Sequence, residues 1–384
     1  MSSDVPFATV KFVTLEGKGF DLAPTVESID VEDHDRAIDR ARVVFDDREA
    51  KIAPIMREKL RVQISLGWST ENALMFEGIV MGHKTEAIGG GQQRVTVTAY
   101  DISYEMKIRP ARTLSFNSGK LSDALKLIVK DYEKDGITVD PKKGIVLDDD
   151  PTFTPLDPLT KKEGQTDWDF VQELAEKYHA RAFVEVNDKK SQFYFVSERN
   201  LLKLDPMGVL HYCPGGGGQK LVEFQYQRVG SGASPTSTVT VVDPKTGEPV
   251  TQKATPPPEE KPMEVDPAAD AEFAQAAEVA LKASQPAEAL PKTVLTGAGS
   301  DPKAAKHKLQ QDPTRLLGFY GTGTAVGTIN LRAKGKVTIK GIAPWAEGDW
   351  YVHKVNHIYT RIMVKDKTKE QNRSTYQTKL AATR

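Results

Sequence analysis

Disulfide chemistry is all but absent from this sequence, because Cys213 is the only cysteine in 384 residues. A single thiol forms no internal bridge, so a reducing site of synthesis is expected. A surplus of one charge is missing as well: 52 Lys and Arg stand against 53 Asp and Glu, for a net charge of -1. Proteins that hold nucleic acid through its phosphates carry a basic excess, and none shows here. No apolar run reaches the roughly 20 residues that span a bilayer. With 27% charged residues and a mean hydropathy of -0.44, no stable membrane insertion is expected. Residues 1–14 also lack the basic-then-apolar order of a signal peptide.

Motifs that carry chemistry are equally sparse. His353 and His357 stand at i, i+4, but residues 350–357 read as a strand and lack the Glu of the zinc-protease helix. On a strand, four residues span about 13 Å at ~3.3 Å per residue, too far to chelate one metal. A structural or partner-contacting role is expected for both histidines. His211-Tyr212-Cys213 invites a thiol-nucleophile reading. Adjacent strand residues face opposite sides, however, so packing is the expected role of Cys213. Gly215 to Gly218 has no Lys-Ser/Thr ending, and Gly321-Thr322-Gly323 has Val326 where a dinucleotide fingerprint has its third glycine. Turn or loop is expected for both. Asp148-Asp149-Asp150 lacks the interleaved ligands and sharp-turn glycine of a calcium loop, and reads as a solvated loop before Pro151. No catalytic, cofactor-binding or metal-binding residue is nominated, and no cofactor is called for.

What is present is dominated by strands. With 39% hydrophobic residues the chain can bury real cores, and its length calls for two or three domains. Leu60, Val62, Ile64 and Leu66 alternate with Arg61, Gln63 and Ser65, the period of a strand with one wet face. Val95, Val97 and Ala99 repeat the pattern against Arg94, Thr96 and Thr98. Between them lie an apolar-rich stretch over 74–81 and a turn at Gly89-Gly90-Gly91. Residues 9–14, 28–32 and 40–45 are further strands. Short strands with turn signals imply an antiparallel sandwich or barrel.

The pattern changes at Arg109-Pro110. Leu121, Leu125, Ile128 and Tyr132 share one helical face, with Ser118 or Ser122 available as a cap. Thr166 opens a second helix, with Asp167 and Asp169 in its first turn and Phe170, Leu174 and Tyr178 repeating every four residues. Strands over 182–186 and 192–196 follow, joined by a polar turn at 187–190. After a strand over 221–227, residues of about 230–300 hold ten prolines. Within that stretch 239–242 pairs with 250–253, 268–283 reads as an Ala- and Glu-rich helix, and the rest as an insertion outside any core. Strands resume over 337–342, 350–359 and 374–382, the last two flanking a charged tip at 365–373. The expected fold is α+β, mainly β: two antiparallel β-barrel domains flanking a small α+β domain. The boundaries fall at 1–110, 111–205 and 206–384, the last interrupted at about 230–300. Leu60, Val62, Ile64, Trp345 and Trp350 are expected in barrel cores.

In this order the segments resemble a known family, the phage late control D or tail baseplate hub proteins, including the hub half of type VI secretion spikes. Residues 60–68, Phe76-Glu77-Gly78-Ile79-Val80 and the stretch 95–101 ending in Tyr100-Asp101 resemble its first barrel. Gln165-Thr166-Asp167-Trp168-Asp169-Phe170-Val171 through Tyr178-His179-Ala180, with the two strands after it, is similar to its middle segment. Gly335-Lys336-Val337, Gly348-Asp349-Trp350-Tyr351-Val352, Val355-Asn356-His357 and residues 374–380 resemble its closing barrel. The resemblance implies a non-enzymatic virion tail or injection-particle component, assembled in the bacterial cytoplasm. It implies a homotrimer whose six barrels adapt a six-fold tail tube to a three-fold central spike. Other baseplate proteins would be partners, and DNA or cargo would pass through the bore. Two other readings stand beside it: a tail-tip hydrolase of cell wall or polysaccharide, and a carbohydrate- or receptor-binding tail module using Trp345 and Trp68 as its platform.

Overall fold

Alternating side chains become paired strands wherever the sequence shows them. The computed structural model describes residues 5–14, 18–187, 190–212, 219–228, 237–242, 249–253, 292–295, 319–366 and 369–384. The first array consists of β1 (Pro6–Val13), β2 (Gly19–Asp21), β3 (Val26–His34), β4 (Arg40–Asp46), β5 (Arg61–Trp68), β6 (Asn72–Ile88) and β7 (Gln92–Asp101). Their order is β2-β1-β5-β6-β7-β4-β3, every neighbour antiparallel. Val62, Ile64 and Leu66 of β5 are buried with Val10, Phe12, Ile29, Val43, Phe45 and Val97, so period-2 patterning delivers one core face per strand. Gly90 and Gly91 turn β6 into β7 with φ of 89° and 76°, a region open to glycine at little cost.

After α1 (Glu105–Ile108), the middle unit packs α2 (Leu121–Lys130) and α3 (Asp167–Lys177) on a four-stranded sheet. Its strands are β8 (Ile137–Val139), β9 (Ile145–Val146), β10 (Ala180–Asn187) and β11 (Lys190–Ser197). The expected helical face is the buried one: Leu121, Leu125, Ile128 and Tyr132 join Phe170, Leu174, Tyr178, Phe193 and Phe195 in one cluster. Thr166 caps α3, its hydroxyl accepting from the Asp169 amide at 3.1 Å. The cap of α2 differs from expectation. Neither Ser118 nor Ser122 serves; Asp150 reaches across from 28 residues away and accepts from the Ser122 amide at 3.0 Å and its hydroxyl at 2.7 Å. A full carboxylate at a helix start outdoes a local serine through the helix dipole. Asp150 is thus more than solvated loop, and Asp148 accepts from Asn200 at 3.2 Å.

Beyond α4 (Glu198–Lys203) come β12 (Val209–Tyr212), β13 (Gln219–Arg228), β14 (Ser237–Val242), β15 (Pro249–Lys253), β16 (Lys292–Leu295), β17 (Phe319–Val326), β18 (Gly335–Lys340), β19 (Gly348–Asp366) and β20 (Lys369–Thr383). The ring β19-β18-β12-β13-β17-β20 returns to β19, a closed six-stranded barrel. Leu210, Val337, Ile339, Trp350, Val352 and Leu380 fill it. β12 runs parallel to both neighbours, a direction that alternation does not encode. β14 and β15 form the expected antiparallel pair, with β16 added parallel to β14. The helix expected over 268–283, the glycine run 215–218, Cys213, and residues 188–189 and 367–368 of two expected turns lie outside the described residues.

One hairpin belongs to both arrays. β19 pairs with β3 over Lys354 to Thr360 while its other edge pairs with β20, so thirteen strands form one continuous hydrogen-bonded path. Tyr359 and Tyr376 of this hairpin lie in the core of the first array. Side chains tie β5 to the same hairpin: Trp68 packs on Tyr376, and its indole donates to the Gly327 carbonyl at 2.8 Å.

Two expectations give way here. Gly321 and Gly323 lie inside β17 and not in a turn. They are glycine because Phe224 lies across them, and a Cβ on Gly321 would stand 2.5 Å from that ring. Trp345 is 42% exposed on a 3-10 turn, its ring edge against Tyr226, whereas Val62, Ile64 and Trp350 are fully buried as expected. Gly321→Ala should therefore lower the unfolding free energy by about 1–3 kcal/mol, the usual cost of overpacking. Denaturant titration measures it, and a change below about 0.5 kcal/mol would show that Phe224 is free to move.

Candidate functional site at the junction of the barrels and the middle unit

A dense assembly of charged side chains is buried where the three bodies of structure meet. Inward positions of β3 run Ile29, Val31, Asp33, and Asp33 is 1% exposed. The β3–β4 connection returns Asp39, β7 ends at Asp101, and β10 of the middle unit contributes Glu185. Into this acidic ring the loop between β17 and β18 inserts Lys334. Its ammonium lies 2.6 Å from Asp33 Oδ1, 3.1 Å from Asp39 Oδ2 and 2.6 Å from Glu185 Oε1, with the Phe183 ring 5.0 Å away.

The loop holding Lys334 is tied down residue by residue. The Thr328 amide donates to Thr378 Oγ1 at 3.0 Å, Arg332 donates to the Met75 carbonyl at 2.8 Å, and the Ala333 amide donates to Asp33 Oδ2 at 2.9 Å. Lys334 itself adopts φ 66°, a left-handed conformation costing a β-carbon-bearing residue about 1–2 kcal/mol. The Lys334 amide bond to Val352 O, at 2.9 Å, and the three carboxylates hold it there.

Charge is distributed unequally around the ammonium. Burial raises Asp33, but Lys334 and Arg332 outweigh it and hold this carboxyl below its ordinary value. Burial pushes Asp39 well above the usual carboxylate range, Asp101 to about 6, and Glu185 upward. Burial alone would depress Lys334; Asp33, Asp39 and Glu185 reverse this and raise it well above a normal lysine. Three carboxylates at such spacing invite a metal ion. Here the ammonium takes the cation's position, and the adjoining cavity measures only about 10 Å³. The geometry is that of a fastener.

The two histidines singled out by spacing join this region separately. A bulge between Val352 and Lys354 directs His353 to Asp35, Nδ1 to Oδ2 at 3.0 Å, and its Nε2 to Thr383 at 2.8 Å. Asp35 also faces Arg181 of β10 at 3.6 Å, and Arg181 pairs with Glu198 of α4, so this second cluster again spans all three bodies. His357 is fully buried, with Nε2 3.0 Å from the Leu331 carbonyl and Nδ1 2.9 Å from the Tyr376 hydroxyl. Burial pushes it down to about 3. It is therefore neutral, Nε2 donating to the carbonyl and Nδ1 accepting from tyrosine.

On the outer face, Lys354, Asn356, Lys379, Thr322, Glu223 and Gln225 line an open groove of about 310 Å³. Sequence reasoning passed over Asp33, Asp39, Glu185 and Lys334, which stand far apart in the chain. The available signal was Asp33, an acid at a position where β3 alternation calls for an apolar side chain.

A family model described as the Alg8 N-terminal domain matches residues 7–361. No curated protein matches the sequence. Among solved structures, the tail protein from Neisseria meningitidis MC58 is 12% identical, with a TM-score of 0.59 over 99% of this chain and 96% of that one. The 43 kDa tail protein of prophage MuSo2 from Shewanella oneidensis is 11% identical, with a TM-score of 0.60 over 99% and 98%. A type VI secretion system component from E. coli, described as structurally similar to the T4 tail proteins gp27 and gp5, is 9% identical, with a TM-score of 0.54 over 94% and 73%. At these identities the likeness is one of fold: this chain has the fold of phage tail proteins and of a type VI secretion component, in agreement with the resemblance read from its sequence.

Two measurements probe the junction. Lys334→Met removes the ammonium and leaves the carboxylates facing one another, and should cost about 3–5 kcal/mol in urea unfolding at neutral pH. A loss under about 1 kcal/mol would mean that the ring opens to water. His357, depressed when folded and ordinary when unfolded, supplies stability that is full above about pH 6.5 and lost as pH falls toward 3. His357→Gln should flatten that acid limb, and an unchanged limb would show the ring already solvated.

Proposed function

This chain belongs to the Alg8 N-terminal domain family, and we propose that it is a structural hub component of a phage-type contractile tail or a related injection machine. The observation that carries the reading is the fusion of two curved β arrays, one a closed barrel, through a single shared hairpin. Residues 1–110 and 206–384 are read as two pseudo-equivalent barrel domains and 111–205 as the domain between them. A trimer of such chains offers six similar barrels in a ring. A ring of that kind meets a six-fold tube on one side and a three-fold spike on the other without a mismatch of symmetry.

The physical properties suit that task. Barrel closure leaves few free strand edges for unwanted pairing before assembly. The shared hairpin and the buried ionic junction couple the two arrays and the middle unit, so that a push on one is transmitted to the others. The acids that converge, Asp33, Asp39 and Glu185, spend their charge on a lysine, which favours a mechanical role over hydrolysis. On this reading the tail tube, the central spike and neighbouring baseplate proteins are the partners, cargo or DNA passes through the bore, and the working location is the tail. Exposed Trp345 is the feature that speaks for a receptor-binding module instead.

Light scattering across a concentration series tests the reading. Three copies of a 42.3 kDa chain give about 127 kDa, expected alone or after mixing with a trimeric spike protein. A chain that stays monomeric under both conditions while binding glycan would replace the hub with the receptor-binding module.

A further inference from the structure

The junction around Lys334 encloses more negative than positive groups. Asp33, Asp39 and Glu185 touch its ammonium. Asp101 Oδ2 accepts from the Asp39 amide at 2.7 Å, and its Oδ1 accepts from the Ser103 amide at 2.7 Å. The second nearby cation, Arg332, spends its guanidinium on the carbonyls of Leu74 and Met75. Four acids thus meet two bases. A further acid, Glu77 of β6, borders the same cavity and is held by Gln63 and Ser191. The neighbouring cluster offers no relief: Asp35 and Glu198 engage Arg181 and His353, and burial keeps His34 below its ordinary value.

Water has little room to screen the surplus, since a cavity of about 10 Å³ is at the lower limit for one molecule. An uncompensated carboxylate in such surroundings is neutralised by binding a proton. The acids also come from separate bodies: Asp33, Asp39 and Asp101 from the first array and Glu185 from the middle unit. Repulsion among them would act across the seam.

We propose that this junction is a proton-loaded latch, in which protons retained on its surplus acids hold strand β10 of the middle unit against the barrels and their loss at higher pH loosens that hold. The latch does not depend on the hub reading. The raised values of Asp39, Asp101 and Glu185 agree with it in sign. An acid raised on folding binds more protons when folded, so its contribution is full below its unfolded value and falls as pH climbs through its folded one. For Asp101 the window runs from its ordinary 3.8 to about 6, and Asp39 extends it upward. Asp33, held low by Lys334, acts oppositely and loses its contribution only as pH falls through its lowered value.

Two readouts on the full-length chain test the latch. Infrared spectra at pH 6 should show a stronger protonated-carboxyl band for the folded wild type than for the unfolded chain; equal bands overturn the proposal without recourse to any variant. Hydrogen exchange at β10, corrected for the chemical rate, should report local opening that rises with pH between about pH 4 and 6, approaching tenfold per pH unit for one proton released. In Glu185→Gln that slope should flatten, while amides of the β18–β19 pair follow wild type. A carboxyl band together with pH-independent opening at β10 would also overturn it, since the protons would then be held without gating anything.

Discussion

Three bodies of this molecule meet at the burial of a single ammonium. Lys334 is fully enclosed, and removing a charge from water is expensive unless partners surround it. The partners come from β3, the β3–β4 connection and β10, so their cost is recovered only when both arrays and the middle unit are docked. A salt bridge of this kind is a poor source of net stability, since a well-packed apolar replacement often does as well. Its distinctive property is selectivity. An apolar contact tolerates sliding by an ångström, whereas a buried ammonium that loses one carboxylate leaves an unpaired charge behind. The junction therefore fixes how the bodies sit together more than it strengthens the contact.

The hairpin β19–β20 supplies the complementary constraint. Its backbone is committed on both edges, to β3 on one side and within the closed barrel on the other. Side chains of the same hairpin lie in two cores, Val355 and Leu380 in the barrel, Tyr359 and Tyr376 in the first array. The bulge at His353 is what lets one ribbon serve both, because it sharpens the local twist at the crossing between them. Backbone pairing is stiff along the ribbon but says little about rotation around it. Rotation is what the Lys334 and Arg181 clusters restrain.

How much of this the chain announces in advance depends on the range of the interaction. The wet and dry faces of β5 and β7 are local facts, and Val62, Ile64, Val95 and Val97 end up where alternation puts them. Thr166 is legible as a cap because its partner, Asp169, is three residues away. Asp150, the acid that serves α2, is 28 residues away, and neighbouring serines concealed it. The parallel setting of β12 is invisible to periodicity, which has no direction. Lys334 is harder still, since its partners lie 301, 295 and 149 positions earlier (Asp33, Asp39 and Glu185) and nothing in its immediate surroundings marks it as buried. Gly321 misleads for a related reason: the ring that demands its glycine belongs to Phe224, across the sheet.

A division of labour follows from those ranges. Elements specified locally, the strands and two helices, are those that each body needs to form at all. Elements specified at long range are those that set one body against another. On the proposed hub reading, in which the part carries force, the two have different requirements. Cores should be strong and indifferent to solvent, and the apolar clusters meet that need through area alone. Seams should be unique in geometry, and charge buried without solvent meets that need because it tolerates no second arrangement. The price is sensitivity to protons, which the seam shares with His357 buried beside Tyr376.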